Sequence, residues 1–187
     1  MAVSISPTDI GDVWVIESQI FRDDRGYFTE LYNAKAWAEA GFDHSFVQDN
    51  MSVSAKGTLR GLHYQVNPEG QGKLVRALRG SVFDVAVDIR EGSPSFGKWT
   101  GRTLSEENGL ALWIPVGFAH GFLVLEDDTQ ILYKCTHFYA PGAERTIVYD
   151  DPAIGIDWPF EPTELKDRDA AAPGLHEAER NFIYAAQ

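Results

Sequence analysis

Hydrophobic and polar residues alternate with a period of two along much of this chain. In SVFDVAVDIR, residues 81–90, one row of alternating positions is Phe83, Val85, Val87 and Ile89, while the other row contains two aspartates. The segments TQILYKCTHFY and ALWIPVGFAHGFLVL are also rich in β-branched and aromatic residues. A period of two indicates half-buried β-strands, because successive side chains of a strand point to opposite faces of its sheet.

Turn-forming residues cut the chain into short pieces. Glycine or proline recurs between the strand-like segments, as in GSPSFG, PVG and APG, which is typical of an antiparallel sandwich or barrel. A helical pattern is confined to residues 33–41, NAKAWAEAG, and more weakly to the tail at residues 170–178. We therefore expect an all-β fold with a few short helices. No composition shift or repeat marks a boundary, so residues 1–187 are predicted to form one domain.

The charge of the chain argues against two classes of partner. Its 28 acidic and 16 basic residues give a formal net charge of −12, and like-charge repulsion opposes binding to nucleic acid or to an anionic membrane surface. Hydrophobic residues make up 44% of the 187 residues, enough for one sizeable core. The single cysteine, Cys135, has no partner for an internal disulfide, and no signal-like or membrane-spanning segment is recognisable. We expect a cytoplasmic protein.

Several common enzyme motifs are missing from the sequence. It contains no G-x-G-x-x-G or G-x-x-x-x-G-K-[ST] loop, and no G-x-S-x-G or C-x-x-C motif. Dinucleotide binding through such a loop, hydrolysis by a serine on a nucleophile elbow and dithiol chemistry are therefore not indicated. We expect the protein to act without a bound redox cofactor.

One predicted strand carries polar side chains where apolar ones are expected. GTLRGLHYQ, residues 57–65, places Arg60, His63 and Gln65 in an otherwise half-buried strand. A single histidine or arginine in a sheet is more often structural or solvated than catalytic. Further polar residues lie on the other predicted strands, namely Lys73, Asp84, His120 and Tyr133. So many polar groups in one small barrel favour a ligand site in its mouth.

Two spacings resemble motifs of the cupin superfamily, whose members are small jelly-roll barrels. GLALWIPVGFAH, residues 109–120, follows the second cupin motif, although Val124 stands where that motif ends in asparagine. GTLRGLH, residues 57–63, resembles the start of the first motif. Metal-binding cupins have another histidine two residues later, where this chain has Gln65. An amide is a poor ligand, and two histidines alone fall short of the three protein ligands of a catalytic metal site. We therefore expect a metal-free barrel.

Longer segments resemble the dTDP-4-dehydrorhamnose 3,5-epimerase family. They run from Phe21 to Leu175 and comprise FRDDRGYFTE, FVQDNMSVSAKGTLRGLHYQ, QGKLVRALRGSVFDVAVDIREGSPSFGKW, LWIPVGFAHGFLVL, LYKCTHFYAPGAERTIVYDDP and IDWP. The resemblance implies a metal-free jelly-roll homodimer that isomerises dTDP-4-dehydro-6-deoxy-D-glucose to dTDP-4-dehydro-L-rhamnose in dTDP-L-rhamnose biosynthesis. An epimerase acting at C3 or C5 alone, a ketoisomerase of a related 4-keto sugar and a non-catalytic sugar-nucleotide binding module are the alternatives.

The chemistry of that reaction suits three residues. A proton next to a ketone is acidic because the resulting carbanion delocalises into an enolate, and in the gluco chair the protons on C3 and C5 lie on one face of the ring. His63 suits the general base, since imidazole titrates close to neutral pH. Tyr133 suits an acid on the opposite face, since a phenol keeps its proton until a carbanion takes it. Lys73, which lies near the sugar in the family, suits stabilisation of the enolate oxygen.

The resemblance also implies a partner for the base. It pairs His63 with Asp169 of LKDRDAAAP, although Asp167 is a rival partner and Arg168 stands where the family often has lysine. A carboxylate behind an imidazole sets its tautomer and stabilises the imidazolium.

Substrate contacts are implied for a larger set. These residues are Arg25, Glu30, Gln48, Asp49, Asn50, Arg60, Asp84, His120, Glu144 and Arg168. The arginines suit phosphate oxygens, which a planar guanidinium binds in bidentate fashion. For Glu144, a solvated loop position is the alternative. The aromatic residues Tyr27, Phe28 and Tyr139 would either sandwich the thymine or pack in the core.

Overall fold

A computed structural model of the protein describes residues 3–185, and short antiparallel strands dominate it. The strands are β1 Val3–Pro7, β2 Trp14–Ser18, β3 Ile20–Asp23, β4 Gly26–Thr29, β5 Gln48–Ser54, β6 Leu59–Gln65, β7 Lys73–Arg79, β8 Ser81–Asp88, β9 Trp99–Ser105, β10 Leu110–Ile114, β11 Phe118–Val124, β12 Thr129–Cys135 and β13 Glu144–Thr146, and the helices are α1 Ala34–Glu39 and α2 Asp167–Ala170. The predicted all-β class with a few short helices is confirmed.

Two antiparallel sheets face each other. The larger sheet has the order β1-β2-β10-β7-β12-β5, the smaller has the order β13-β6-β11-β8-β9, and β3 and β4 form a separate hairpin. The chain passes repeatedly from one sheet to the other, so that strands adjacent in a sheet are mostly distant in sequence. Residues on the inner faces of both sheets therefore converge on one space.

The alternating strands divide their side chains between an inner core and the two outer faces. Val82 of β8 and Ile131 of β12 belong to the cluster between the sheets. Val85, on the opposite face of β8, packs in a second cluster that Leu175 and Phe182 of the C-terminal segment cover. Each fully buried side chain of this kind contributes about 1.5–3 kcal/mol. The C-terminal segment is thus part of the fold although it forms almost no regular structure.

Strand β6 contains a bulge that places Arg60 and His63 on the same face. With a strict period of two, residues three apart point to opposite faces. In the pairing of β6 with β11, however, His63 lies opposite His120 and Arg60 lies opposite Phe122, so three steps on β6 match two steps on β11. A bulge adds one residue to one strand and redirects the side chains beyond it. Both Arg60 and His63 consequently face the space between the sheets.

Glycine permits close backbone contact at this bulge. Gly61 has a φ of +137°, and a Cβ atom built there would lie 2.4 Å from the Cα atom of Gly121 on β11. A Cβ atom on Gly121 would in turn lie 3.2 Å from the Cα atom of Gly61. The two strands therefore approach each other where a larger residue has no room.

The two helices have different outcomes against the sequence pattern. Helix α1 lies within the predicted segment 33–41, and the Asn33 side chain caps it by accepting a hydrogen bond from the backbone N–H of Ala36 at 3.1 Å. The predicted tail helix at 170–178 is wrong: α2 ends at Ala170, and turns follow. Pro173 lacks an N–H and disfavours helical geometry in the residue before it. Neither helix within residues 3–185 has the length and hydropathy needed to cross a membrane.

Candidate active site

A cavity of about 330 Å³ opens between the two sheets, and polar side chains line most of it. Ten of the residues predicted from the sequence as catalytic groups or substrate contacts take part in the lining: Gln48, Asn50, Arg60, His63, Lys73, His120, Tyr133, Glu144, Arg168 and Asp169. They come from β5, β6, β7, β11, β12, β13 and α2. The fold therefore gathers side chains that are separated by up to about 120 positions in the sequence.

A histidine and a buried aspartate form a hydrogen-bonded pair in this cavity. The Nε2 atom of His63 lies 3.0 Å from the Oδ1 atom of Asp169, and the two side chains are 22% and 2% exposed. Burial alone would raise the pKa of Asp169, but the hydrogen bond with His63 and the neighbouring positive charges together lower it. Asp167, the rival partner, is exposed. An ionised Asp169 accepts a hydrogen bond from Nε2–H, which leaves Nδ1 of His63 as the basic nitrogen.

Tyr133 and Lys73 approach the cavity from the sheet opposite His63. Tyr133 lies on β12 and Lys73 on β7, both in the six-stranded sheet, whereas His63 lies on β6 of the five-stranded sheet. Burial raises the pKa of the Tyr133 phenol and lowers that of the Lys73 ammonium. The Nζ atom of Lys73 also donates a hydrogen bond to the backbone oxygen of His63 at 3.4 Å. A molecule in the cavity would have an imidazole on one side and a phenol on the other.

In a second histidine–aspartate pair, the histidine lines the cavity and the aspartate is buried behind it. Nε2 of His120 lies 2.7 Å from Oδ1 of Asp84, and Asp84 is fully buried. Burial lowers the pKa of His120, and the charge of Asp84 opposes this effect. Within residues 3–185, the Oδ2 atom of Asp84 has no hydrogen-bond partner. Asp84 does not line the cavity itself, so its contact with a ligand would pass through His120.

Basic side chains outnumber carboxylates around the cavity. The lining contains Arg60, Lys73, Lys166 and Arg168 together with Glu144 and Asp169. Arg168 links the two carboxylates, because its Nη1 atom lies 3.0 Å from Oε2 of Glu144 and its Nε atom lies 3.3 Å from Oδ1 of Asp169. In a chain with a net charge of −12, this local excess of positive charge suits an anionic ligand.

Besides Asp84, three of the residues proposed from the sequence as substrate contacts lie outside the cavity. Arg25 is at the tip of the β3–β4 hairpin, where its side chain is 90% exposed and bonded to Asp23. Glu30 accepts a hydrogen bond from Asn33. Asp49 pairs with Lys134 on the outer face of the six-stranded sheet. None of the three reaches the cavity of its own chain.

Ser52, Gln71 and Lys166 also line the cavity but were not singled out from the sequence. Ser52 had a usable signal, since it continues the two-residue period of Gln48 and Asn50 along β5. Its Oγ atom is buried and has no partner in the described part of the chain. Gln71 and Lys166 lie outside the strands and helices, where no periodic pattern identifies them.

The three aromatic residues proposed for the nucleobase are all exposed, so packing in the core is wrong for each. Tyr139 is 51% exposed and lines the cavity. Its hydroxyl donates a hydrogen bond to Oε2 of Glu144 at 3.1 Å. Glu144 is half-buried on β13 rather than in a solvated loop. Tyr27 and Phe28 are 44% and 60% exposed on the hairpin and line a different, smaller cavity.

The residue at the second cupin ligand position, Gln65, lines the cavity, but its amide is bonded to the backbone. The Gln65 amide bonds to backbone groups of residues 69, 138 and 140. Across residues 3–185, no three histidine, cysteine, aspartate or glutamate side chains form a cluster suited to a metal ion. The cavity itself offers acid, base and cationic side chains.

Comparison with known proteins gives consistent similarities. A sequence model of the family described as dTDP-4-dehydrorhamnose 3,5-epimerase matches residues 7–177. The dTDP-4-dehydrorhamnose 3,5-epimerase of Pseudomonas aeruginosa is 56% identical over 167 residues, which cover 87% of this chain and 92% of that protein.

Solved structures agree with the sequence matches. The crystal structure of dTDP-6-deoxy-D-glucose-3,5-epimerase from Legionella pneumophila Philadelphia 1, in complex with dTDP-4-keto-L-rhamnose, is 51% identical, with a TM-score of 0.90 and 94% of each chain covered. ChmJ, a 3'-monoepimerase from Streptomyces bikiniensis in complex with dTDP-quinovose, is 38% identical, with a TM-score of 0.85 and coverage of 91% of this chain and 87% of that chain.

Proposed function

The chain belongs to the dTDP-4-dehydrorhamnose 3,5-epimerase family, and from this premise we propose how its cavity carries out the reaction. The protein is an isomerase with a cupin-type jelly-roll fold. It epimerises C3 and C5 of dTDP-4-dehydro-6-deoxy-D-glucose and so forms dTDP-4-dehydro-L-rhamnose. The observation that supports our assignment of roles is that His63 and Tyr133 enter one cavity from opposite sheets.

His63 is the general base in this proposal. It removes the proton from C3 or C5, and the electron pair of the broken C–H bond moves into the enolate formed with the C4 carbonyl. The carboxylate of Asp169 stabilises the resulting imidazolium and holds the ring so that Nδ1 meets the substrate. One base serves both carbons because their protons lie on the same ring face.

Tyr133 returns a proton to the opposite face of the ring, which inverts the configuration at that carbon. The raised pKa of its phenol keeps the group protonated until the carbanion takes the proton. Lys73, whose pKa is lowered by burial, donates a hydrogen bond to the oxygen on C4 as the enolate forms. When it is protonated, its positive charge also stabilises the negative charge on that oxygen. A positioned donor of this type contributes about 10²–10³-fold to kcat.

The basic side chains at the cavity bind the diphosphate of the substrate. Arg60 presents a planar guanidinium group that matches phosphate oxygens, and Arg168 and Lys166 add positive charge. Gln48, Asn50, His120 and Glu144 offer hydrogen bonds to the sugar and nucleotide, and Asp84 acts through His120.

The test of this proposal uses solvent deuterium. Incubation with dTDP-4-keto-6-deoxyglucose in D₂O, with a reductase added to trap the L-rhamnose product, should place deuterium at both C3 and C5, as read by NMR. His63→Ala should incorporate none at either carbon. Because the monoepimerase ChmJ is similar over most of the chain, label at one carbon is the second candidate outcome and would reassign the protein as a single-site epimerase.

We also propose that the protein works as a homodimer whose hairpin completes the partner's cavity. The β3–β4 hairpin exposes Phe21 and Phe28 at 42% and 60%, and the edge strand β5 exposes Met51 at 61% and Val53 at 52%. Apolar side chains exposed in this number suit a protein interface. Crossing of the hairpin to a second copy would bring Arg25 and Glu30 to a cavity that they do not reach within their own chain.

Mixed dimers test this arrangement. Arg25→Ala and His63→Ala chains, each nearly inactive alone, should regain about a quarter of wild-type activity when refolded together, because half of the dimers then have one intact cavity. If no activity is recovered, Arg25 does not contribute to the cavity of the partner chain. Light scattering at several concentrations measures the dimer itself. One domain over residues 1–187 and a cytoplasmic location remain predictions.

A further inference from the structure

The segment 137–140 follows β12 without pairing in either sheet. A segment without ladder hydrogen bonds is ordinarily among the more mobile parts of a fold. Here three glutamine side chains take the place of a strand partner. Two of them donate to backbone oxygens: Gln71 to that of His137 at 2.7 Å, and Gln65 to that of Phe138 at 3.2 Å. Gln65 also accepts a hydrogen bond from the Ala140 N–H at 2.9 Å. Gln48 accepts one from the Tyr139 N–H at 2.9 Å.

Gln65 is the centre of this arrangement. It is 4% exposed, and its amide makes three hydrogen bonds, the third being a donation to the backbone oxygen of Glu69 at 2.8 Å. Burying and ordering a glutamine costs rotamer entropy and desolvation that a valine would largely avoid. Because every polar group of this buried amide is paired, the Gln65 side chain connects β6 to the segment and does more than fill the core.

The other two glutamines hold the segment from different elements. Gln48 lies on β5, and its Nε2 atom donates to Oδ1 of Asn50 at 3.0 Å, which sets the direction of its Oε1 atom. Gln71 lies between β6 and β7. Since β5 and β6 belong to different sheets, the segment is tied to both walls of the barrel.

The segment carries one side chain that faces the ligand. Tyr139 lines the cavity, and its hydroxyl donates a hydrogen bond to Glu144. Hydrogen bonds to residues 138, 139 and 140 fix the backbone on both sides of this ring. Resting on the proposed function, we infer that Gln65 and Gln71, together with Gln48, are positioning residues that hold segment 137–140 so that the Tyr139 ring forms a fixed wall of the nucleotide-sugar site.

A fixed wall acts on binding rather than on proton transfer. An aromatic ring contributes to nucleotide binding when its plane is already oriented, because little freedom is then lost on binding. A loosened segment would leave His63 and Tyr133 in place and would weaken the hold on the ligand. The expected signature is a rise in KM and in the Kd for dTDP, with kcat nearly unchanged.

The experiment compares Gln65→Met and Gln71→Met with the wild type, because methionine keeps the length of glutamine and loses its hydrogen bonds. Gln130→Met is the matched control, since Gln130 lies near the start of β12, away from the segment in sequence, and does not line the cavity. We expect Gln65→Met to weaken dTDP binding about tenfold by calorimetry, Gln71→Met about threefold, and kcat to fall less than threefold. Amide hydrogen exchange at residues 138–140 should accelerate in both variants but not in the control.

A double variant separates this role from general stability. In a Tyr139→Ala background, Gln65→Met should weaken dTDP binding by less than a further twofold, since the ring that it positions is gone. Additive losses, a fall in kcat at unchanged KM, or unchanged exchange at residues 138–140 would each overturn the inference. If Gln65→Met does not fold, the same criteria apply to Gln71→Met. A wild type that binds dTDP without isomerising the sugar would contradict the proposed function, whereas the exchange comparison would still decide the role of the glutamines.

Discussion

Replacement of Asp169 by asparagine tests the assignment of the general base. The Asp169 side chain is 2% exposed, and its Oδ1 atom lies 3.0 Å from Nε2 of His63. Asparagine has nearly the same shape, so the substitution removes the charge and preserves the packing. Without the carboxylate, the imidazolium that forms on proton abstraction loses its stabilising partner.

The size of the effect follows from the geometry of the pair. A hydrogen bond to a charged group contributes about 1.5–3 kcal/mol, and two unit charges about 4 Å apart attract by about 4 kcal/mol at an effective dielectric constant of 20. Because the His63 side chain is 22% exposed, water screens part of this attraction. We expect a loss of about 2–4 kcal/mol in the transition state, which corresponds to a fall in kcat of about 30-fold to 10³-fold.

The assay is the rate of conversion of dTDP-4-keto-6-deoxyglucose, coupled to the reductase or followed by NMR. KM should change less than about threefold, because the substitution acts on a charge that develops only in the transition state. Asp167→Asn is the matched control, since Asp167 is two residues away and exposed, and it should retain at least half of the wild-type rate. Circular dichroism and urea unfolding confirm that both variants are folded.

Two outcomes would refute the reasoning. A rate for Asp169→Asn within about threefold of the wild type would show that the carboxylate does not support the base. A larger loss in Asp167→Asn than in Asp169→Asn would show that the pairing seen in the structure is not the one used in turnover.

Three further predictions concern the acid, the bulge and acid stability. Tyr133→Phe should lower kcat by about 10²–10⁴-fold with little change in KM, whereas an unchanged kcat would exclude the phenol as proton donor. Gly61→Ala should destabilise the fold by more than about 2 kcal/mol in urea unfolding, because a Cβ atom there meets Gly121 at 2.4 Å and φ is +137°; a midpoint equal to that of wild type would contradict this. Because the folded pKa of Asp169 is lowered, its contribution to stability is present above the ordinary carboxyl pKa of 3.8 and is lost as the pH falls through the folded value. Unfolding free energies measured between pH 6 and about 3 should fall more steeply in the wild type than in Asp169→Asn. Parallel pH curves for the two proteins would contradict a stabilising role of the Asp169 carboxylate.

The period-two pattern was sufficient to predict the strands and the sheet face to which many of their side chains point. The rows of β8 separate as expected, with Val82 in the inner cluster and Val85 in the outer one. The polar exceptions in this pattern, His63, Lys73 and Tyr133, all line the cavity. A polar residue at an inward position of a strand is a local signal, and it identified much of the site.

The same pattern failed where geometry depends on contacts distant in sequence. Arg60 faces the cavity because a bulge, set by the contact of Gly61 with Gly121, changes the alternation within β6. The tail predicted as a helix follows turns instead and covers the five-stranded sheet with Leu175 and Phe182. For this tail, the burial of apolar area contributes more to stability than the helix propensity of its residues.

The sequence by itself determined the fold class, the family and most of the chemical groups available to the site. Only the tertiary structure decided which of these groups meet. It paired His63 with Asp169 rather than Asp167, placed Tyr133 on the opposite sheet, and left Arg25 outside the cavity of its own chain. The physical reason is that hydrophobic alternation acts between near neighbours in the chain, whereas the pairing of a base with its carboxylate 106 residues away depends on how two sheets and a covering segment pack.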